Sequence, residues 1–202
     1  MLLSTVILGW IGIGVFVTIL LTFMKLMKNK EQGLLHVVMG FMYAMWLPLP
    51  FALYFEQEQE LLLTGSIFGF VYLLMLVITM GFQTGHIVHI VKQEQSEIWE
   101  ERATWMLDTF SSSYENLAGV FKSVWSIFLA IVFWLNGETW MAILMSLFSL
   151  MMIYYVNNLV NVSTIKRIKF LEKLKPNPFI YNIEALLFFL TLMIYITMQL
   201  LE

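Results

Sequence analysis

Six long apolar runs, separated by short polar segments, dominate this sequence and restrict what it can fold into. They cover about residues 4–24, 34–55, 61–91, 116–135, 139–162 and 178–201. A helix needs about 20 mostly apolar residues to cross the hydrocarbon core of a bilayer, so each run is long enough to span one. The sequence therefore predicts an all-α integral membrane protein, a bundle of six transmembrane helices forming a single domain over residues 1–202.

Composition excludes the soluble alternatives. The chain is 60% hydrophobic and 12% charged, whereas a soluble domain is about 45–50% apolar and about 25% charged. A soluble fold of this size has too little interior to bury the excess. The net charge of −3 offers no basic surface for nucleic acid. A lipid bilayer is thus the expected surrounding, and no nucleic-acid partner is expected.

The positive charges indicate an orientation. Ten of the eleven basic residues fall in alternate connections between the runs, around residues 25–30, 92–102 and 166–175, and the eleventh is Lys122. Because cytoplasmic loops carry the excess of Lys and Arg, these connections are predicted to face the cytoplasm and both termini to lie outside. We expect a multi-pass protein of the plasma membrane.

The connection at 92–115 is the only sizeable segment outside the apolar runs. It is mainly acidic, and its apolar residues recur at helical spacing, which predicts an amphipathic cytoplasmic helix. Interfacial helices that bind anionic lipid are usually basic, so its acidity favours packing on the protein itself or on a cytoplasmic protein partner. The candidate partner-binding residues are Glu97, Trp99, Glu100, Glu101 and Trp105.

Polar residues inside the apolar runs gather in their predicted cytoplasmic third. They form helical stripes and are predicted to line a vestibule that is open to the cytoplasm and closed above by Phe, Leu and Met. The polar residues predicted to line this vestibule are Lys122, Glu184, Gln83, His86, Asn157, Asn158 and Asn161. Charged groups in hydrocarbon are costly, so we hypothesise that Lys122 and Glu184 pair. In the alternative interpretation Lys122 extends to the headgroups, and the asparagines only bond between helices.

The remaining motifs are weaker indications of a function. His86 and His89 share a helix face, and with His36 they are the candidates for a metal or haem site, which is a remote alternative. The sequence has no cysteine, no hydrolase motif and a single Asp, so we expect neither a cofactor nor catalytic residues. In the third run, two pairs of glycines at four-residue spacing, 65/69 and 81/85, predict close helix packing.

Two functions remain open from the sequence. One is a membrane subunit that acts as sensor, anchor or scaffold, with a partner protein on its acidic cytoplasmic helix. The other is a channel or transporter for a small polar or ionic solute that uses the same polar layer. In either case a homo-oligomer or a larger membrane complex is expected.

Overall fold

The computed structural model describes residues 1–93, 101–102, 105, 112–165 and 177–201. Within these residues the protein is helical and has no strand. The helices, in chain order, are α1 (Leu2–Lys28), α2 (Gln32–Met45), α3 (Leu49–Gln57), α4 (Glu60–Val91), α5 (Ser112–Leu135), α6 (Thr139–Ser149), α7 (Met151–Ser163) and α8 (Pro178–Leu201).

These helices give six segments long and apolar enough to cross a membrane, which confirms the predicted number of spans. Span 1 is α1, span 2 combines α2 with α3, and spans 3 and 4 are α4 and α5. Span 5 combines α6 with α7, and span 6 is α8. Helix α5, which forms span 4, begins at Ser112, four residues before the predicted start of that span, so residues 112–115 belong to α5 and not to the connecting segment.

Span 2 is interrupted between α2 and α3, next to Pro48 and Pro50, which predict a kink in the second apolar run. Hydrogen bonds between residues three apart replace the helical pattern there. They run from Trp46 N to Tyr43 O (3.1 Å) and from Leu49 N to Trp46 O (2.9 Å). Pro48 explains the position, because the residue before a proline disfavours helical backbone and proline itself donates no hydrogen bond.

Span 5 is also interrupted, at Leu150, which the sequence did not predict. The Leu150 amide bonds to Leu147 O at 3.2 Å, three residues back, as in a tightened turn. The hydroxyls of Ser146 and Ser149 donate to the carbonyls of Ala142 and Ser146, each at 2.7 Å. Such serine bonds compete with the helical ladder and often bend it.

The connection between α5 and α6 is a tight hairpin. Gly137 has φ +78°, the left-handed conformation that glycine adopts without strain. Its amide bonds to Trp134 O at 3.2 Å, while the Glu138 amide bonds to Phe133 O at 2.8 Å. This pair of bonds is the Schellman motif that ends many helices, and it turns the chain back within three residues.

The glycines of α4 divide into two groups. A Cβ on Gly65 would overlap the Phe128 side chain and one on Gly69 would overlap the Trp125 ring, so both allow α4 and α5 to approach closely. In contrast, Gly81 and Gly85 have nothing within 4 Å of a built Cβ. The packing prediction is therefore confirmed for the first pair and wrong for the second, which lies where no described neighbour approaches.

Candidate functional site

The central polar feature is an ion pair between α5 and α8. The Lys122 ammonium donates to Glu184 Oε2, and the two side chains are 2% and 9% exposed. Lys122 Nζ also donates to the Tyr155 hydroxyl at 3.2 Å, and that hydroxyl donates to Glu184 Oε2 at 2.9 Å. The hypothesised pair is thus present, and the interpretation in which Lys122 extends to the headgroups is wrong.

Aromatic rings surround the ammonium group. Lys122 Nζ lies 5.2 Å from the ring centroid of Tyr155, 5.6 Å from that of Phe188 and 5.9 Å from that of Tyr72. Ring faces attract a cation, and the attraction grows when the cation is desolvated. A Cβ on Gly119 would overlap the Tyr155 ring, so this glycine provides the space that brings Tyr155 to the pair.

A cavity of about 430 Å³ lies against this cluster and is lined by residues from all six spans. Its walls include Phe23 and Met27 from α1, Tyr43 from α2, and Gln83 from α4. The cavity occupies the half of the bundle in which α1 ends and α2 begins. Its volume falls within the range of about 300–1,000 Å³ that is typical of small-molecule sites.

Polar groups also stand where α4, α5 and α8 meet beside the cavity. Gln83 Nε2 donates to Glu115 Oε1 at a long 3.4 Å. The Tyr181 hydroxyl donates to Asn116 Oδ1 at 2.9 Å and accepts a bond from Asn158 Nδ2 at 3.2 Å. Asn158 therefore bonds between helices, as one interpretation of the sequence expected.

The predicted vestibule residues are only partly brought together. Gln83 and Lys122 line the cavity, as does His36, and Glu184 adjoins it through its bond to Lys122. The cavity walls do not include four of the predicted residues, namely His86, Asn157, Asn158 and Asn161.

The histidines do not assemble into a metal site in the part of the chain that the structure describes. No group of three His, Asp or Glu residues there could hold a metal ion. His36 Nδ1 pairs with its own helix, at 2.7 Å from Gln32 O. His86 Nε2 is buried and has no hydrogen-bond partner among the described residues.

The partner-binding candidates fall largely outside the described residues, which include neither Glu97, Trp99 nor Glu100. Glu101 is exposed, and Trp105 is 61% exposed.

An aromatic layer lies one helical turn from the cavity wall and shares Tyr72 with that wall. The rings of Trp46 and Phe189 stack with centroids 3.9 Å apart and planes at 13°, and the Tyr72 ring is nearly parallel to that of Phe189 with centroids 6.2 Å apart. Trp46 and Phe189 are fully buried. Trp46 Nε1 also donates to Gly9 O at 3.1 Å, which fixes the layer against α1. The predicted closure of the vestibule by Phe, Leu and Met stays a prediction.

A second polar cluster at the other end of the bundle was missed by sequence reasoning. Gln57 Nε2 donates to the Tyr195 hydroxyl at 2.5 Å, which donates to Glu138 Oε1 at 2.7 Å. Asn136 Nδ2 donates to Gln57 Oε1 at 2.7 Å, and Asn136 Oδ1 accepts a bond from Gln59 Nε2 at 3.2 Å. The cluster joins the α3–α4 and α5–α6 turns to α8. The only available signal was the pair of glutamines in the Glu-Gln-Glu-Gln-Glu segment.

Comparisons of this chain with known protein families, with curated proteins and with solved structures found no match.

Proposed function

We propose that this chain is a multi-pass membrane subunit that binds a small ligand in the cavity beside Lys122 and acts as a sensor, anchor or scaffold for a partner protein. The observation that carries the proposal is a cavity of about 430 Å³ whose wall includes Lys122 of a neutralised ion pair and Tyr72 of a stacked aromatic layer. Such a cavity can hold a molecule, whereas a conducting path needs polar groups along its whole length.

The proposed orientation places the cavity on the cytoplasmic side of the plasma membrane, with both termini outside. Its support is the distribution of basic residues. Lys25, Lys28, Lys30 and Lys92 lie at the end of the bundle that contains the cavity, while the α3–α4 and α5–α6 turns have no basic residue. Cytoplasmic loops carry such an excess of Lys and Arg.

In the proposed mechanism, the acidic connection at 92–115 reports the state of the cavity to a cytoplasmic protein. It joins α4 to α5, the helices that contribute Gln83 and Lys122 to the cavity wall. A ligand that moves these helices would therefore move both ends of the connection. Glu101 and Trp105 are exposed on this segment.

Cysteine accessibility tests the cavity and its orientation, because the chain has no cysteine of its own. Ala185→Cys places a thiol in the cavity wall, and Met193→Cys places one on the same helix in the buried core. Asn29→Cys and Glu60→Cys, both exposed, mark the two ends of the bundle. Each variant is treated with a membrane-impermeant thiol reagent in right-side-out and in inside-out vesicles.

We expect Ala185→Cys to react only in the vesicles in which Asn29→Cys reacts, which should be the inside-out ones, and Met193→Cys to react in neither. Reaction of Ala185→Cys from the side that labels Glu60→Cys, or from both sides, would refute a cavity closed at its inner end.

The partner role is tested by charge reversal. Glu97→Lys, Glu100→Lys and Glu101→Lys are combined in one chain, and the matched control reverses Glu56, Glu58 and Glu60 in the α3–α4 turn. We expect only the first set to abolish the cross-linked species that the wild-type chain forms in its own membrane. Equal cross-linking by both sets would contradict the role of the connection.

A channel or transporter for a small polar or ionic solute is the second candidate. The buried Lys122–Glu184 pair favours it, because ionisable residues inside a membrane often mark ion or substrate pathways. Solute flux in proteoliposomes that is abolished by Lys122→Met and unaffected by the charge reversal at 97–101 would support this candidate against the first.

A further inference from the structure

Three polar groups of residues in the cavity wall have no hydrogen-bond partner in the part of the chain that the structure describes. Tyr43 and Tyr72 are 5% and 4% exposed and both line the cavity, yet neither hydroxyl has a hydrogen bond within the described residues. Gln83 Oε1 is buried and also has no partner there. Buried polar groups are nearly always hydrogen-bonded, and leaving one unsatisfied is costly. The two tyrosine hydroxyls therefore present hydrogen-bonding capacity to an occupant of the cavity, and the Gln83 amide in the same wall has one oxygen still to satisfy.

The opposite part of the cavity is apolar and continues toward the outside of the bundle. A smaller pocket of about 60 Å³ between α1, α2 and α8 shares Phe23, Leu35 and Met39 with the cavity, together with one polar residue, Asn182. It extends to Leu20, which is 49% exposed on a helix that spans the membrane. The combined space thus has a polar inner part and an apolar part that reaches the surface in contact with lipid chains.

The charges on the cavity wall determine which kind of polar group an occupant can place against it. Lys122 and Glu184 neutralise each other, and the Glu115 carboxylate lies beside Gln83 on the same wall. An anionic head would meet that carboxylate and the unpaired Gln83 oxygen, which is an acceptor only. A head that donates hydrogen bonds satisfies Gln83 Oε1, and aromatic faces accept an ammonium group.

We propose that the cavity binds an amphiphile drawn from the bilayer. Its apolar chain lies along Phe23, Leu35 and Met39, and its head, an amine or hydroxyl group, bonds to Tyr43, Tyr72 and Gln83. This rests on the proposed ligand-binding function and names the ligand class for the same cavity. Water alone at the three polar groups is the competing occupant.

The probe is a twelve-carbon alkylamine with a photoreactive diazirine in its chain, added to the full chain in nanodiscs of zwitterionic phosphatidylcholine. Mass spectrometry then locates the cross-links. We expect saturable labelling of the peptides that contain residues 20–27 and 35–39. Dodecylamine and dodecanol should compete, and dodecyl sulfate should not.

Matched tyrosine variants test the head-group contacts. Tyr43→Phe and Tyr72→Phe each remove one hydroxyl, and each is expected to raise the half-saturating probe concentration by about three- to tenfold, the usual effect of one lost hydrogen bond. Tyr54→Phe changes a tyrosine outside the cavity wall and should leave it unchanged. Ala185→Leu fills the cavity and should abolish saturable labelling while size-exclusion elution stays normal.

If labelling is the same in Tyr43→Phe, Tyr72→Phe and Ala185→Leu as in the wild type, the probe binds at the lipid-facing surface. That result would overturn the proposal in favour of water alone in the cavity. Equal competition by dodecyl sulfate would overturn the assigned head group.

The thiol assay separates this failure from failure of the proposed function. If Ala185→Cys reacts as expected and the alkylamine does not bind, the cavity stands and its ligand class is wrong. If Ala185→Cys does not react, the proposed function fails.

Discussion

Removing one partner of the Lys122–Glu184 pair should destabilise the protein more than removing both charges. Lys122→Met leaves the Glu184 carboxylate, which is 9% exposed, with the Tyr155 hydroxyl as its remaining donor. An unpaired charge of this kind typically costs about 3–5 kcal/mol. Glu184→Gln leaves the ammonium group without a counter-charge and should cost about the same.

The double variant Lys122→Met/Glu184→Gln removes both charges and keeps an amide that can accept from Tyr155. Replacing a buried ion pair with neutral groups is often close to neutral, so the double variant should be no less stable than either single one. If the effects were independent, the two losses would add to about 6–10 kcal/mol. The difference between these outcomes is large against a total stability of about 5–15 kcal/mol.

The assay is reversible unfolding in mixed micelles by increasing the fraction of sodium dodecyl sulfate, followed by far-ultraviolet circular dichroism. Lys28→Met, at an exposed lysine near the end of α1, is the matched control and should change the free energy of unfolding by less than about 0.5 kcal/mol. Additive losses in the double variant, or a Lys122→Met variant as stable as the control, would refute the energetic role of the pair.

Two further predictions use the same assay. Tyr195→Phe removes the hydroxyl that joins Gln57 to Glu138. It should lower the free energy of unfolding by about 1–3 kcal/mol, because it leaves both groups without that partner. A loss within experimental error would show that the cluster does not stabilise the fold. Gly69→Ala places a Cβ against the Trp125 ring and should cost about 1–3 kcal/mol by overpacking, whereas Gly81→Ala, with nothing within 4 Å, should be nearly neutral; equal effects would contradict the assigned packing.

The six spans could be predicted because length and apolarity are properties of each segment alone. The break in span 2 was also visible, since Pro48 restricts its own backbone wherever it stands. The break at Leu150 could not be predicted from the sequence. It is accompanied by hydroxyl bonds from Ser146 and Ser149, and serine side chains in a helix can equally point outward without bending it. A local pattern does not distinguish these two outcomes.

The candidate site divides along similar lines. Lys122 and Glu184 were found because two opposite charges at matching depth must avoid lipid, which is a constraint that any fold has to meet. Tyr155 and Tyr72 were missed because a hydropathy count treats tyrosine as mainly apolar, while the role of its hydroxyl depends on which helix it faces. The Gln57–Tyr195–Glu138 cluster was missed for a related reason, since glutamine and glutamate beside a turn are ordinarily solvated.

The aromatic layer bears most directly on the choice between binding and transport. An ion or polar solute that left the cavity past Tyr72, between α1, α2 and α8, would meet the Trp46–Phe189 stack and the bond from Trp46 Nε1 to Gly9 O. A Cβ on Gly12 would overlap the Trp46 indole, so this ring is also held tightly against α1. Conduction would therefore require α1 to move away from α2 and α8 together. A binding subunit requires no such motion, and its occupant has only to displace the contents of a cavity that already exists.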